Sequence, residues 1–315
     1  MTAGRLDDTH WMQRALRLAQ SGLGRCWPNP AVGCVLVQGA GVVGEACTAA
    51  GGRPHAETVA LTAAGPQAMG ATAYVSLEPC AHHGQTPPCA EALVRAQVAR
   101  VVIAQRDPDP RVDGRGTAQL KAAGIAVQEG VCSSEAAFLN RGFCTRVLHG
   151  RPCFETGTVL PLRCYDALLC STPASLVGAE VARLGLWLPR PEVAGALAPA
   201  GGAGHAASLP APTASTDTSQ AACPGALAAD GTKCRGLTAD PATATQPAAE
   251  RWEGIDNAHN PWCQGNDAEA WQRFAEALGA QGLTRVWVPP SDPAYTALMA
   301  HGLLSASILA TLSGP

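Results

Sequence analysis

Between Thr9 and Gly22 the apolar positions Met12, Leu16 and Ala19 recur three or four residues apart. That is a helical period, with Asp7, Asp8 or Thr9 available as the cap and Gly22 as the stop. The run "WPNP" at 27–30 breaks the pattern. After it, "AVGCVLVQ" reads as a strand, "GAG" as a turn and "VVGEAC" as a second strand, together a hairpin. "HAETVALTAA" then reads as a helix stopped by Gly65, "ATAYVSL" as a buried strand, "CAEALVRAQV" as a helix and "RVVIAQ" as a strand. "GTAQLKAAG" and "IAVQEG" add another helix and strand. This alternation predicts an α/β fold, a mixed sheet covered by helices on both faces.

After Asn140 the pattern changes. From Pro191 to Glu250 there is no Phe, Trp, Tyr or Ile and a single Val, while Ala, Pro, Gly, Ser and Thr dominate. Such a segment cannot bury enough apolar surface to offset its ordering entropy, so it reads as a disordered, low-complexity insert. Periodicity returns in "AEAWQRFAEALGAQG", where Trp271, Phe274 and Leu278 share one helical stripe, followed by the strand-like "LTRVWV". The chain thus divides at 1–146, 147–190, 191–250 and 251–315.

Composition narrows the function classes. The 315 residues are 47% hydrophobic, enough for at least one buried core. A net charge of −3 offers no basic face for a phosphate backbone, so nucleic acid is not an expected partner. The first residues, "MTAGRLDDTHWMQRAL", carry charges where an export signal needs an apolar run, and no window reaches the length of a membrane span. The expected compartment is the cytosol. Thirteen cysteines, an odd number in a long chain, then read as reduced thiols, most of them small buried hydrophobes such as Cys34.

Four residues carry candidate chemistry. His55, Cys80 and Cys89 supply one imidazole and two thiolates, the three-ligand set of a catalytic zinc site with its fourth position open. Two thiolates neutralise the ion, which in turn acidifies a water ligand. Glu57 lies two residues after His55, and positions two apart do not share a helix face. His55 therefore belongs at the helix entrance, with Glu57 in the first turn as a proton carrier that does not bind the metal. Cys80 and Cys89 each fall at the start of a helix or turn, where free N–H groups favour thiolate. His-x-Glu followed by Pro-Cys is the signature of zinc-dependent nucleobase deaminases. Either half alone is a common helix start or core turn; in this order they are specific. Here eight residues, "AHHGQTPP", separate the cysteines instead of two, and this long loop is expected to line a substrate pocket. "GGAG" at 201–204 lacks the flanking strand and helix of a dinucleotide site and reads as linker. "DPDPRVDGRG" lacks the acidic spacing of a calcium loop and reads as a turn.

With these residues in place, the chain resembles the riboflavin-biosynthesis diaminohydroxyphosphoribosylaminopyrimidine deaminases, commonly fused to a reductase. The likeness runs from about residue 10 to 152 through "PNPAVGCVLV", "HAETVAL", "YVSLEPCAHHGQTPPC", "DPDPRVDGRG", "AAGIAV" and "LNRGF" followed by "HGRP". The resemblance implies a three-layer αβα cytidine-deaminase-like domain over 1–146, Zn²⁺ held by His55, Cys80 and Cys89, and Glu57 as the proton shuttle. It places Asn29 against the pyrimidine ring; His82 and His83 in the long loop read either as pocket residues or as a solvated loop, and with Gln85 they are the further candidate substrate contacts. The implied reaction is hydrolytic loss of the ring 2-amino group from a phosphoribosylaminopyrimidine, a small-molecule partner, with no role for nucleic acid or membrane. Family members usually have a basic residue in place of Gln85 and a histidine in place of Thr48. Phosphate contact is therefore expected to be weaker, with His82, His83 or Arg53 positioned to compensate.

The reductase half departs further from the family. There "GRP" leads into a strand with a lysine and an Asp-Gly pair that serve substrate and NADPH binding, and "CFETGTVLPLRCYDAL" has neither. Near the end, Pro289, Pro290 and Ser291 replace a Glu-Gly-Gly, removing backbone donors and flexibility from a phosphate-approaching turn. The expectation is an eroded reductase, with a degenerate start in 147–190 and an α/β remnant in 251–315. NADPH is then a cofactor only if this half works, and a separate reductase becomes the expected pathway partner. The competing readings are a bifunctional deaminase/reductase, a nucleoside or RNA deaminase, and a non-catalytic deaminase-like scaffold. The long inter-cysteine loop opposes the second, while Thr48 and Gln85 speak for the third.

Overall fold

The computed structural model describes residues 7–82, 87–156, 160–170 and 260–305, together with the backbone of 185–187. Helix α1, Asp8–Gly22, is capped by Asp7, whose carboxylate accepts the His10 N–H at 2.9 Å. It leads into the hairpin of β1, Gly33–Gln38, and β2, Gly41–Cys47. Then follow α2 (Ala56–Ala64), β3 (Thr72–Val75), α3 (Cys89–Arg95), β4 (Arg100–Ile103), α4 (Arg115–Ala122) and β5 (Ala126–Glu129). The strands form a five-stranded sheet in the order β2-β1-β3-β4-β5. β1 is antiparallel to both neighbours, while β3, β4 and β5 run parallel.

Burial on both faces explains why β1 is apolar without alternation. Cys34 and Leu36 face a core shared with α2, α3 and α4, including Ala60, Leu93 and Leu120. Val35 and Val37 face Met12, Leu16 and Ala136 on the other side. α1 lies so close to the sheet that a side chain at Gly33 would run into the Ala15 carbonyl. Truncating Met12 or Leu36, both fully buried, to alanine would cost roughly 2–5 kcal/mol of folding free energy.

A long helix that apolar periodicity does not reveal follows this sheet: α5, Ser133–His149. Its buried positions are Ala136, Asn140 and Gly142, too small or polar to make a hydrophobic stripe. They are buried because α5 lies between two sheets and is held by polar bonds. The Asn140 amide donates to Gln105 Oε1 at 3.0 Å, and Arg141 donates twice to Glu155 Oε1, at 3.0 and 2.7 Å.

The second sheet draws strands from widely separated segments. β6 (Cys153–Glu155), β7 (Ala167–Cys170), β8 (Gly185–Trp187) and β9 (Arg285–Trp287) pair in the order β6-β9-β7-β8, each pair parallel. α6 (Ala268–Ala280) and α7 (Pro293–Ala300) complete this module. Phe154, Trp271, Phe274, Leu278, Val286 and Leu298 form its core. Segments 147–190 and 251–315 thus contribute to one sheet, and the low-complexity insert of 191–250 lies outside the described residues. No helix among the described residues is long and apolar enough to cross a membrane.

Candidate metal centre and its pocket

His55 is the N-cap of α2, in extended backbone (φ −70°, ψ 155°), so its ring leaves the helix axis instead of lying along it. Cys89 opens α3, and Cys80 sits in the loop that leaves the carboxyl end of β3. The Cys89 N–H, one of the unpaired donors of a helix start, points at Cys80 Sγ at 3.3 Å. His55 Nδ1 lies 3.7 Å from Cys80 Sγ and 3.3 Å from Cys89 Sγ, and one donor atom of each residue falls within 4.8 Å of the others. Tetrahedral zinc with ordinary Zn–S and Zn–N bonds holds such donors roughly 3.5–3.8 Å apart, so the set can hold that ion with little movement.

The electrostatics point the same way. Cys80 is drawn down to about 4 by hydrogen bonding from Cys89 and from His55. Cys89 is pushed up, first by its hydrogen bond with the Cys80 thiol and then by burial. Two thiols this close compete for one negative charge, and a divalent cation removes the conflict by accepting both thiolates.

Glu57 stands in the first turn of α2, only 3% exposed. Its Oε2 has no hydrogen-bond partner among the described residues, and burial pushes the carboxyl up to about 7. An orphaned buried oxygen beside a three-donor cluster is the expected form of a proton carrier waiting for a reacting partner.

A cavity of about 210 Å³ opens beside the cluster. Asn29 and His82 line it with His55, Glu57 and Cys80, whereas His83 and Gln85 lie outside the described residues. His82 Nδ1 is buried with no hydrogen-bond partner among the described residues. Thr48 also faces the cavity, yet its hydroxyl is engaged in structure. It accepts the Val32 N–H at 3.0 Å and donates to the Pro30 carbonyl at 3.1 Å, tying down the segment that carries Asn29. Arg53 is at the wall as well.

Sequence reading passed over one wall entirely. "DPDPRVDGRG" is more than a turn, because Asp107, Asp109 and Arg111 all line the cavity. The Asp107 carboxylate accepts the Asp109 N–H at 2.8 Å, and Asp109 in turn pairs with Arg111. Burial pushes Asp107 up to about 6. Glu78, 3% exposed, fastens this loop by accepting the N–H groups of Gly114 and Thr117, each at 3.0 Å. The available signal was topological: the loop leaves the carboxyl end of parallel strand β4, where open α/β sheets bind their ligands.

Known proteins agree with this geometry. Residues 6–105 match the family described as the cytidine and deoxycytidylate deaminase zinc-binding region. The riboflavin biosynthesis protein RibD of Escherichia coli K12 is 53% identical over 147 residues, which are 47% of this chain and 40% of that protein. The match therefore spans less than half of that relative's length. The diaminohydroxyphosphoribosylaminopyrimidine deaminase of Buchnera aphidicola from Acyrthosiphon pisum is 45% identical over 147 residues and is matched over 100% of its length. Among solved structures, Acinetobacter baumannii RibD superposes with a TM-score of 0.59 at 28% identity, over 94% of this chain and 84% of that one. A Thermotoga maritima deaminase/reductase at 23% identity shares the fold, with a TM-score of 0.61 over 93% of this chain and 84% of that one. With a zinc-binding deaminase region at its amino end and a deaminase relative matched from end to end, this chain belongs to the diaminohydroxyphosphoribosylaminopyrimidine deaminase family.

Proposed function

We propose that the protein hydrolyses the 2-amino group of a diaminohydroxyphosphoribosylaminopyrimidine, releasing ammonia and 5-amino-6-(5-phosphoribosylamino)uracil in riboflavin biosynthesis. The observation that carries this reading is one ring nitrogen and two sulfurs within 4.8 Å of one another, next to a buried and unpartnered carboxylate oxygen. His55, Cys80 and Cys89 hold Zn²⁺. When bound, that ion supplies Lewis acidity and lowers the pKa of a water ligand toward neutrality.

The remaining chemistry belongs to the chain's own residues. A C–O bond forms at the amino-bearing carbon, the C–N bond breaks, and the water proton travels to the departing nitrogen. Glu57 Oε2 moves that proton: a carboxyl raised to about 7 by burial accepts and returns one readily near neutral pH. Asn29 orients the pyrimidine edge through its amide, and Phe143 adds an apolar surface to the cavity wall. Arg53 and His82 face the same space and serve the phosphoribosyl phosphate. The thiols require reduced surroundings, which supports a cytosolic reaction.

The second module does not support NADPH-dependent reduction. At the start of α7 the Asp292 carboxylate accepts the Ala294 N–H at 2.9 Å, so an acid already caps the amino end of this helix, shortly after Pro289 and Pro290. A separate reductase then consumes the product.

The test is to incubate metal-analysed full chain with the diaminopyrimidine substrate, with and without NADPH, and to identify the products by mass. One zinc per chain, ammonia and the unreduced aminouracil are expected. A zinc-loaded chain that releases no ammonia would overturn the reading and favour a non-catalytic scaffold; a ribityl product formed with NADPH would restore the bifunctional alternative.

A further inference from the structure

The second sheet packs on the two segments that carry Asn29 and Phe143 to the cavity wall. On the Asn29 segment, a Cβ at Gly24 would strike the Arg163 carbonyl, and one at Gly282 would come within 2.9 Å of Pro28 Cβ. On α5, a Cβ at Gly142 would come within 2.8 Å of the Thr284 carbonyl oxygen.

Arg285 of β9 is the centre of this contact. It is 1% exposed, and its Nη2 donates to the carbonyls of Phe138 and Leu139 in α5, at 2.9 and 3.2 Å. In the helical ladder those carbonyls serve residues four positions on, Gly142 and Phe143. Nη1 lies 3.4 Å from Glu155 Oε2, and the other oxygen of Glu155 binds Arg141 of α5. The backbone around Arg285 is fixed by Asp166 Oδ2, which accepts the N–H groups of Thr284 and Arg285 at 2.7 and 2.9 Å. A buried guanidinium is costly unless its donors are met, and part of this one's donors are met by the deaminase helix and not by its own sheet.

We propose that the second α/β module is a positioning element of the deaminase site: Arg285, acting through Phe138 and Leu139, sets Phe143, and the Gly24 and Pro28 contacts set Asn29, so that the substrate cavity is preformed. The inference rests on the deaminase reading above. The Buchnera relative is matched over its whole length by the first half alone, so it offers a comparison without this module.

The experiment compares the full chain with Arg285→Met, Arg285→Lys and Gly142→Ala, measuring zinc content, deamination kinetics and amide hydrogen exchange. In Arg285→Met, KM is expected to rise roughly tenfold while kcat stays within about twofold and zinc content is unchanged, the signature of lost binding and not of lost chemistry. Exchange over 25–30 and 138–144 is expected to quicken, and Arg285→Lys to restore part of both. Gly142→Ala improves the intrinsic helix propensity of α5 while wedging it from β9, so it decides the matter if Arg285→Met fails to fold. Wild-type KM and exchange in folded Arg285→Met or Gly142→Ala would overturn the inference, as would a fall in kcat or zinc with KM unchanged. If the unmodified chain releases no ammonia, the deaminase reading fails, whereas the exchange arm still reports whether β9 orders the two wall segments.

Discussion

The Glu78 carboxylate accepts the backbone N–H of Thr117 at 3.0 Å, joining the loop that presents Cys80 to the start of α4 across 39 positions of sequence. The other oxygen of the same side chain takes the Gly114 N–H at 3.0 Å and the Asp107 N–H at 3.4 Å, so one buried acid holds both ends of the acidic wall against the loop of Cys80. Replacing Glu78 by Gln sets an NH₂ group against one of these N–H donors. An unsatisfied buried donor costs about 1–3 kcal/mol, so denaturant unfolding of Glu78→Gln should show a loss of that size, together with a raised KM. Wild-type stability and KM in that variant would show that the clamp is dispensable.

Glu57→Gln keeps the volume of the side chain and removes its capacity to carry a proton. General acid–base catalysis is worth roughly 10²- to 10⁴-fold, and ammonia release should fall by at least that factor while metal analysis still finds one zinc. Turnover close to wild type would remove Glu57 from the mechanism.

Metal removal tests the donor set. A strong chelator should strip the ion, abolish activity and lower the melting temperature, because a ligand bound only by the native state stabilises it by mass action. Cys80→Ser and Cys89→Ser should each lose zinc before any chelator is added. Full zinc occupancy in both serine variants would place the metal elsewhere.

Acid stability has an identifiable contributor far from the site. Asp8 is held below the usual carboxylate range chiefly by its hydrogen bonds from Arg100, and Tyr74 adds another. A carboxyl depressed in the folded state contributes stability that is present above its unfolded value and is lost as pH falls through its folded value. The difference in unfolding midpoint between the wild type and Asp8→Asn should therefore be clear at pH 6 and shrink below about pH 4. A difference independent of pH would assign the loss to packing instead of charge.

If the second module has lost its nucleotide site, titration with NADPH should give no saturable quenching of tryptophan fluorescence. Restoring a glycine turn at Pro289 and Pro290 alone should not create binding, since the Asp292 carboxylate still caps α7. Tight binding of NADPH to the unmodified chain would reverse this assignment.

Much of the architecture is readable from local pattern. The period of Met12, Leu16 and Ala19 marks α1, the apolar run of β1 marks a strand, and His-x-Glu and Pro-Cys each mark part of the donor cluster, because each of these signals lies within a few residues. Three features are not readable that way. α5 has no apolar stripe, since it is buried through Asn140, Gly142 and the pairing of Arg141 with Glu155. The acidic wall of Asp107 and Asp109 reads as a turn until Glu78 is seen to fasten it. β7 and β9 are joined where Asp166 binds Thr284 across 118 positions of sequence, a pairing without local trace. What the amino-acid order determined alone is therefore the run of elements in the first sheet and the residues of the donor cluster. Which segments close the cavity, and that the terminal segment leans on the deaminase helix, were decided by tertiary structure: periodicity records where large apolar side chains are buried, whereas buried polar bonds between distant residues exist only once the chain has brought them together.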